Sequence, residues 1–137
     1  MHIGRALLRS LFGYRHPSLR CTVAGLHFAN PLGLAAGFDK NGRAVQAIDA
    51  LGFGSVEIGS VSAHPSAGNA KPRLFRLPAD EAIVVNYGVP NEGAQAVSRR
   101  IQKRLTDGLL GVNIVETNTG QAPSHDAVLA EFIEAVR

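Results

Sequence analysis

Cysteine occurs once in the 137 residues, at Cys21, so an internal disulfide is excluded. No Cys/His cluster has metal-ligand spacing, which leaves a cytosolic protein without structural zinc as the default. His2, His16, His27, His64 and His125 are scattered and read as surface or packing residues. No Gly-x-Gly-x-x-Gly follows any candidate strand, so the dinucleotide-binding fingerprint is missing. No apolar run is long enough to span a bilayer, and no small-residue cleavage site follows the first apolar stretch. Acidic residues are absent from positions 1–38, which carry Arg5, Arg9, Arg15 and Arg20. The remaining residues hold ten basic and eleven acidic side chains, so the net +3 belongs to the amino-terminal arm rather than to the body. That distribution argues against a nucleic-acid-binding domain, which needs a basic face on its folded part.

What is present is a soluble globular composition, 45% hydrophobic and 18% charged, sufficient for one domain with a core. The chemistry concentrates in Asn30–Gly42. There Leu32, Leu34, Ala35 and Ala36 form a short apolar run, predicting a strand over Leu34–Gly37 buried on both faces, as in parallel sheets. Small residues at its end let a flat ligand lie on the backbone, and Lys40 offers a cation at the same mouth. An ordinary strand-to-helix turn with a solvated lysine has the same composition, and both readings stand at this point.

Residues 1–20 form a basic arm. Ile3, Ala6, Leu7, Leu8, Leu11 and Phe12 recur at helical spacing around Arg5 and Arg9. A helix packed on its own domain, a membrane-surface helix and a transit peptide share this pattern. Surface binding through residues 1–12 would favour anionic lipid and be salt-sensitive.

Beyond the arm, Cys21–Phe28 reads as two short strands around Ala24-Gly25. Ala44, Val45, Ile48 and Leu51 predict a helix stopped at Gly52, and Ser55–Val61 a second buried strand. Residues 62–81, with three prolines and with Lys71, Arg73 and Arg76, read as a long irregular segment anchored by Leu74, Phe75 and Leu77, its arginines facing water. Ile83–Val85 is extended and leads to a polar turn, Asn86–Asn91, able to meet a ligand. Asn91 is expected to cap a helix on Ala94, Val97, Ile101 and Leu105, with Arg99, Arg100, Lys103 and Arg104 as its solvated face. Leu109–Val115 predicts a third strand and Ser124 caps a last helix on Val128, Leu129, Phe132, Ile133 and Val136. Asn113, polar within that strand, needs a partner from backbone, water or ligand. A hairpin followed by three strand–helix units predicts an α/β fold with a parallel sheet, best met by a (β/α)8 TIM barrel with ligands at the carboxyl ends of its strands.

Three blocks in this order resemble a known family: Asn30-Pro31-Leu32-Gly33-Leu34-Ala35-Ala36-Gly37-Phe38-Asp39-Lys40-Asn41-Gly42, then Gly52–Val61, then Lys71-Pro72-Arg73-Leu74-Phe75-Arg76-Leu77. They are similar to the dihydroorotate dehydrogenases, in the membrane-associated, quinone-linked class. The resemblance implies that residues 21–137 are the amino-terminal part of an FMN-binding (β/α)8 barrel. It implies oxidation of dihydroorotate to orotate in pyrimidine synthesis, with quinone as electron acceptor. The implied address is the cytoplasm, with a peripheral place on the inner membrane through residues 1–12. Ala36, Gly37, Lys40, Ser60 and Asn113 are the implied FMN contacts. Lys40, with Asn86, Tyr87, Gly88 and Val89, is the implied substrate contact.

The chain departs from the family pattern in three ways. Val85 stands where the family usually has its substrate-binding asparagine, so the amide is either lost or moved to Asn86. Val115-Glu116-Thr117-Asn118 replaces a basic stretch. The family's fourth-strand asparagine and its serine base are not among these residues, so no catalytic residue is expected here, and the open edges of a three-strand sheet imply an incomplete barrel. An FMN barrel with a changed substrate and a non-catalytic barrel fragment are the alternatives.

Overall fold

The computed structural model describes residues 2–103 and 108–137. Met1, Arg104 and Leu105 lie outside the described residues. Helix α1 (His2–Phe12) and a 3-10 turn at Pro17–Leu19 lead into an antiparallel hairpin of β1 (Cys21–Val23) and β2 (Leu26–Phe28). Its two turn residues, Ala24 and Gly25, both have positive φ, which matches the twist of a two-residue hairpin loop.

The main sheet joins β3 (Gly33–Leu34), β4 (Ser55–Val61) and β7 (Leu109–Ile114) in parallel and in that order. Gly33 pairs with Ser55, which in turn pairs with Leu109. Helix α2 (Val45–Ala50) follows β3, α3 (Ala94–Ile101) follows β4, and α4 (His125–Ala135) follows β7. Parallel pairing with a helix in every crossover is the arrangement the sequence predicts. The core lies between the sheet and its helices: Val45 and Ile48 of α2 and Val97 of α3 close over Val56, Ile58 and Val61 of β4. Each such aliphatic side chain, fully buried, is worth about 1.5–3 kcal/mol, so this cluster fixes the order of the strands whose ends form the site.

Strand entry is set by polar contacts. Asn30, buried, donates from Nδ2 to the Gly52 carbonyl at 2.8 Å and accepts from Leu32 N at 3.0 Å. Gly54 N donates to Leu32 O at 2.8 Å, and a Cβ on Gly54 would stand 1.9 Å from the Asn30 carbonyl oxygen. Only glycine permits that approach.

Several expectations are corrected. Strand β3 ends at Leu34, not Gly37, and Ala35 is exposed; the chain touches β4 again only at Gly37, whose amide donates to the Gly59 carbonyl at 2.8 Å. The segment 62–81 is not wholly irregular: β5 (Leu74–Leu77) pairs antiparallel with β6 (Ala82–Val85). The arm's helix docks on α2 through Arg9 Nη2 and the buried Asp49 Oδ2 at 3.5 Å. Its apolar stripe, Ile3, Leu7, Leu11 and Phe12, points to solvent, so Arg9 turns toward the domain instead of flanking that stripe. Helix α4 is capped by Ser124, which accepts from Ala127 N, yet Leu129, Phe132, Ile133 and Val136 remain exposed.

Candidate active site at the carboxyl end of the parallel sheet

The carboxyl ends of β3, β4 and β7 bring together Ala36, Gly37, Ser60 and Asn113. Gly37 N is bonded to Gly59 O, and Gly59 N donates to Asp39 O at 3.4 Å, so the loop after β3 lies against the end of β4. Gly59 has φ +111, and a Cβ there would stand 2.6 Å from the Asn113 carbonyl oxygen, so glycine lets β4 approach β7 at this level. Ser60 Oγ donates to Asn113 Oδ1. The partner that the strand-bound amide requires is thus another member of the same residue set. On the open side, a Cβ on Gly37 would meet nothing within 4 Å.

Lys40 sits on a loop held from both ends. Asp39, buried, takes Arg43 N at 2.8 Å on Oδ1 and Ala44 N at 2.7 Å on Oδ2, satisfying amides at the start of α2. The Lys40 Nζ stands 5.0 Å from the centroid of the Tyr87 ring, and the Arg73 guanidinium carbon 5.7 Å from the same ring. Cations at these distances are attracted by the ring quadrupole. Arg73 does not face water as expected: its Nη1 donates to the carbonyls of Ala67 at 2.7 Å and Asn69 at 3.0 Å.

The turn after β6 is a network of amides. Asn86 accepts on Oδ1 from Asn69 Nδ2 at 2.7 Å, while Asn118 Nδ2 donates to Asn69 Oδ1 at 3.0 Å and to the Gly88 carbonyl at 2.9 Å. Val89 is held at φ +51. Val85 is exposed on β6 and brings no polar group. Asn91 is not the helix cap, a place taken by Gly93. It is buried, accepting from Gly93 N at 2.9 Å and Ser62 N at 3.2 Å, and donating to Ser62 Oγ at 2.7 Å and Val89 O at 3.0 Å.

Sequence reasoning passed over Glu92 and misplaced Arg100. Glu92 accepts from Arg43 Nε at 3.1 Å and pairs with both Arg43 and Arg100, whose side chain is only 22% exposed and also donates to the Asn41 carbonyl. The Arg100 and Arg43 hydrogen bonds hold the Glu92 carboxyl below the usual carboxylate range. A lowered folded-state value means the ion pairs are complete above the unfolded pKa and are lost as pH falls through the folded one. No single-sequence signal marks this triad, because its members are 49 and 8 residues apart.

A family model described as dihydroorotate dehydrogenase matches residues 18–137. The chain belongs to the dihydroorotate dehydrogenase family. It is 51% identical over 135 residues to the dihydroorotate dehydrogenase (quinone) of Thermobifida fusca, covering 96% of this chain and 35% of that protein. It is 49% identical over 133 residues to the protein of that name from Mycolicibacterium smegmatis, covering 97% and 37%. The crystal structure of ligand-free type DHODH from Eimeria tenella superposes with a TM-score of 0.76 at 30% identity, over 98% of this chain and 41% of that one. The fold is therefore of the TIM-barrel class, and this chain, spanning 35–37% of those two relatives, carries three of its parallel strands.

Proposed function

We propose that the chain supplies the flavin-facing and substrate-facing loops of an FMN-dependent barrel that oxidises dihydroorotate to orotate, with quinone as electron acceptor. The observation that carries this reading is the convergence of Gly37, Ser60 and Asn113 at one mouth, with Lys40 on the loop of the same β3 end. The exposed backbone at Gly37 fits a flat ring system, and the chemistry FMN supplies when bound is acceptance of a hydride. Ala36, Gly37, Ser60 and Asn113 would hold the flavin, with Lys40 beside it. Lys40 would also fix the carboxylate of the substrate, backed by Tyr87 and by the Asn86–Val89 turn.

One observation favours a second reading, the same flavin barrel acting on another anionic substrate. Val85 offers no amide, and the Asn86 amide oxygen is already taken by Asn69. Titration of millimolar FMN and orotate into the labelled chain, followed by NMR, tests the residue assignment. FMN is expected to move signals of 35–40, 60 and 113, and orotate those of Lys40 and 86–89, with Lys40→Ala removing the orotate effect. Movement confined elsewhere overturns the assignment, and an indifferent orotate beside an active FMN selects the second reading.

The arm is proposed as a peripheral membrane contact, supported by the outward stripe Ile3, Leu7, Leu11 and Phe12. No helix among the described residues is long and apolar enough to cross a membrane. Because Arg9 is engaged with Asp49, binding is expected to rest on the apolar stripe. Co-sedimentation with vesicles should fall only modestly with salt and vanish on deletion of residues 1–20. Sedimentation unchanged by that deletion makes the arm a packing element.

A further inference from the structure

The two halves of the proposed substrate subsite come from separate stretches of chain: Lys40 from the loop after β3, and Asn86–Val89 from the turn after β6. We propose that Glu92 is a positioning residue that fastens these two stretches together, so that Lys40 is held over the Tyr87 ring. The inference rests on the reading of Lys40 as the substrate-facing cation and goes beyond it.

The connection runs through residues adjacent to Lys40. Glu92 N donates to Asn41 Oδ1 at 3.0 Å, and the Glu92 carboxylate binds Arg43 on one oxygen and Arg100 on the other. Arg100 closes the circuit by donating to the Asn41 carbonyl. On the other side, Glu92 follows Asn91, whose buried amide is fixed to Ser62 and to the Val89 carbonyl. From Tyr87 to Glu92, then across to Asn41 and back to Lys40, every link is a hydrogen bond or a short covalent path. The Lys40–Tyr87 contact closes it.

Neither neighbouring helix needs this network for its own start. Asp39 already takes the amides of Arg43 and Ala44 ahead of α2, and Asn91 takes the amide of Gly93 ahead of α3. What the Glu92 bridges add is the mutual placement of the two loops. Charge-assisted bonds to two guanidinium groups are suited to that, being shorter and more directional than neutral ones. A ligand carboxylate must meet the Lys40 ammonium at a defined place, and a displacement of about an ångström can cost on the order of a hundredfold in such a site.

The test uses the ring current of Tyr87, which displaces the Lys40 ε-methylene protons upfield while the ammonium stays over the ring. In the 137-residue chain, Tyr87→Leu should abolish that displacement and thereby assign it. Glu92→Gln should cut it by more than half with the core methyl signals of Ile58 and Val97 unmoved, and Glu92→Asp should restore part of it. Asn41→Ala, which leaves all three charges in place, should act in the same direction and serves if Glu92→Gln fails to fold. A Lys40 signal that stays in place in Glu92→Gln or Asn41→Ala, while Tyr87→Leu moves it, overturns the proposal. So does the absence of any Tyr87-dependent displacement. The underlying functional reading fails separately: orotate then leaves Lys40 unmoved in the unsubstituted chain, while Glu92→Gln still releases the lysine.

Discussion

A polypeptide of residues 1–137 is expected to emerge from purification without bound flavin and to leave dihydroorotate unoxidised, where the full-length Thermobifida fusca relative, assayed in parallel, serves as the positive control. Among the described residues, no side chain at the mouth is placed to serve as the general base. The Asp39 carboxylate accepts two backbone amides, the Ser60 hydroxyl donates to Asn113, and the Lys40 Nζ lies over the Tyr87 ring. Removing a positioned general base typically removes about 10²- to 10⁴-fold in rate. Flavin retention suffers as well, because three parallel strands present one arc of a cofactor site that a closed barrel would surround. The measurement is visible absorbance of the purified chain together with orotate formation. Stoichiometric yellow flavin together with turnover above the uncatalysed rate would show that the catalytic group lies within these residues.

Legibility in the sequence followed the range of the interactions concerned. The strands and helices were readable where one local pattern decides them. Val56, Ile58 and Val61 sit in a continuous apolar run, Ser124 precedes its helix as a side-chain cap, and Gly52 stands at a helix stop with φ +96. The end of β3 was not readable, because Ala35-Ala36-Gly37 has strand composition although the regular pairing stops at Leu34 and contact with β4 returns only at Gly37, through a bond to Gly59, 22 residues away. The β5–β6 hairpin was hidden for another reason. Leu74–Leu77 and Ala82–Val85 are extended runs flanking Pro78-Ala79-Asp80-Glu81, a sufficient hairpin signal, but the surrounding prolines drew the whole stretch into one loop. At the candidate site, Gly37, Lys40, Ser60 and Asn113 announced themselves by type and by place at strand ends. Glu92, Asn69 and Asn118 did not, since surface amides and carboxylates have no periodicity. Their roles exist only once the segments following β3, β4, β6 and β7 are folded together.

Asn91→Ala is expected to lower the stability of the chain by about 2–4 kcal/mol, the sum of several lost bonds of roughly 0.5–1.5 kcal/mol and a buried donor left unpaired. The amide joins the end of β4 to the turn after β6: it satisfies Ser62 N, Ser62 Oγ, Val89 O and Gly93 N at once. Ser62 is fully buried, so no solvent replaces the lost acceptor. Against the roughly 5–15 kcal/mol that holds a typical domain together, this is a large share. Asn91→Asp separates hydrogen bonding from shape. A carboxylate still accepts from Ser62 N and Gly93 N but faces the Val89 carbonyl and the Ser62 hydroxyl, whose hydrogen goes to the His64 carbonyl at 2.8 Å. Burial without a compensating cation raises the folded-state pKa of that aspartate above its unfolded value. The folded chain then keeps a proton that the unfolded chain has released, so stability falls as pH rises through the interval and returns as pH drops below it. Denaturant midpoints measured near neutrality and at about pH 5 should therefore rise on acidification for Asn91→Asp and not for Asn91→Ala. An Asn91→Ala chain within about 0.5 kcal/mol of the unsubstituted one would mean that the turn bearing Tyr87 is anchored by something other than this amide.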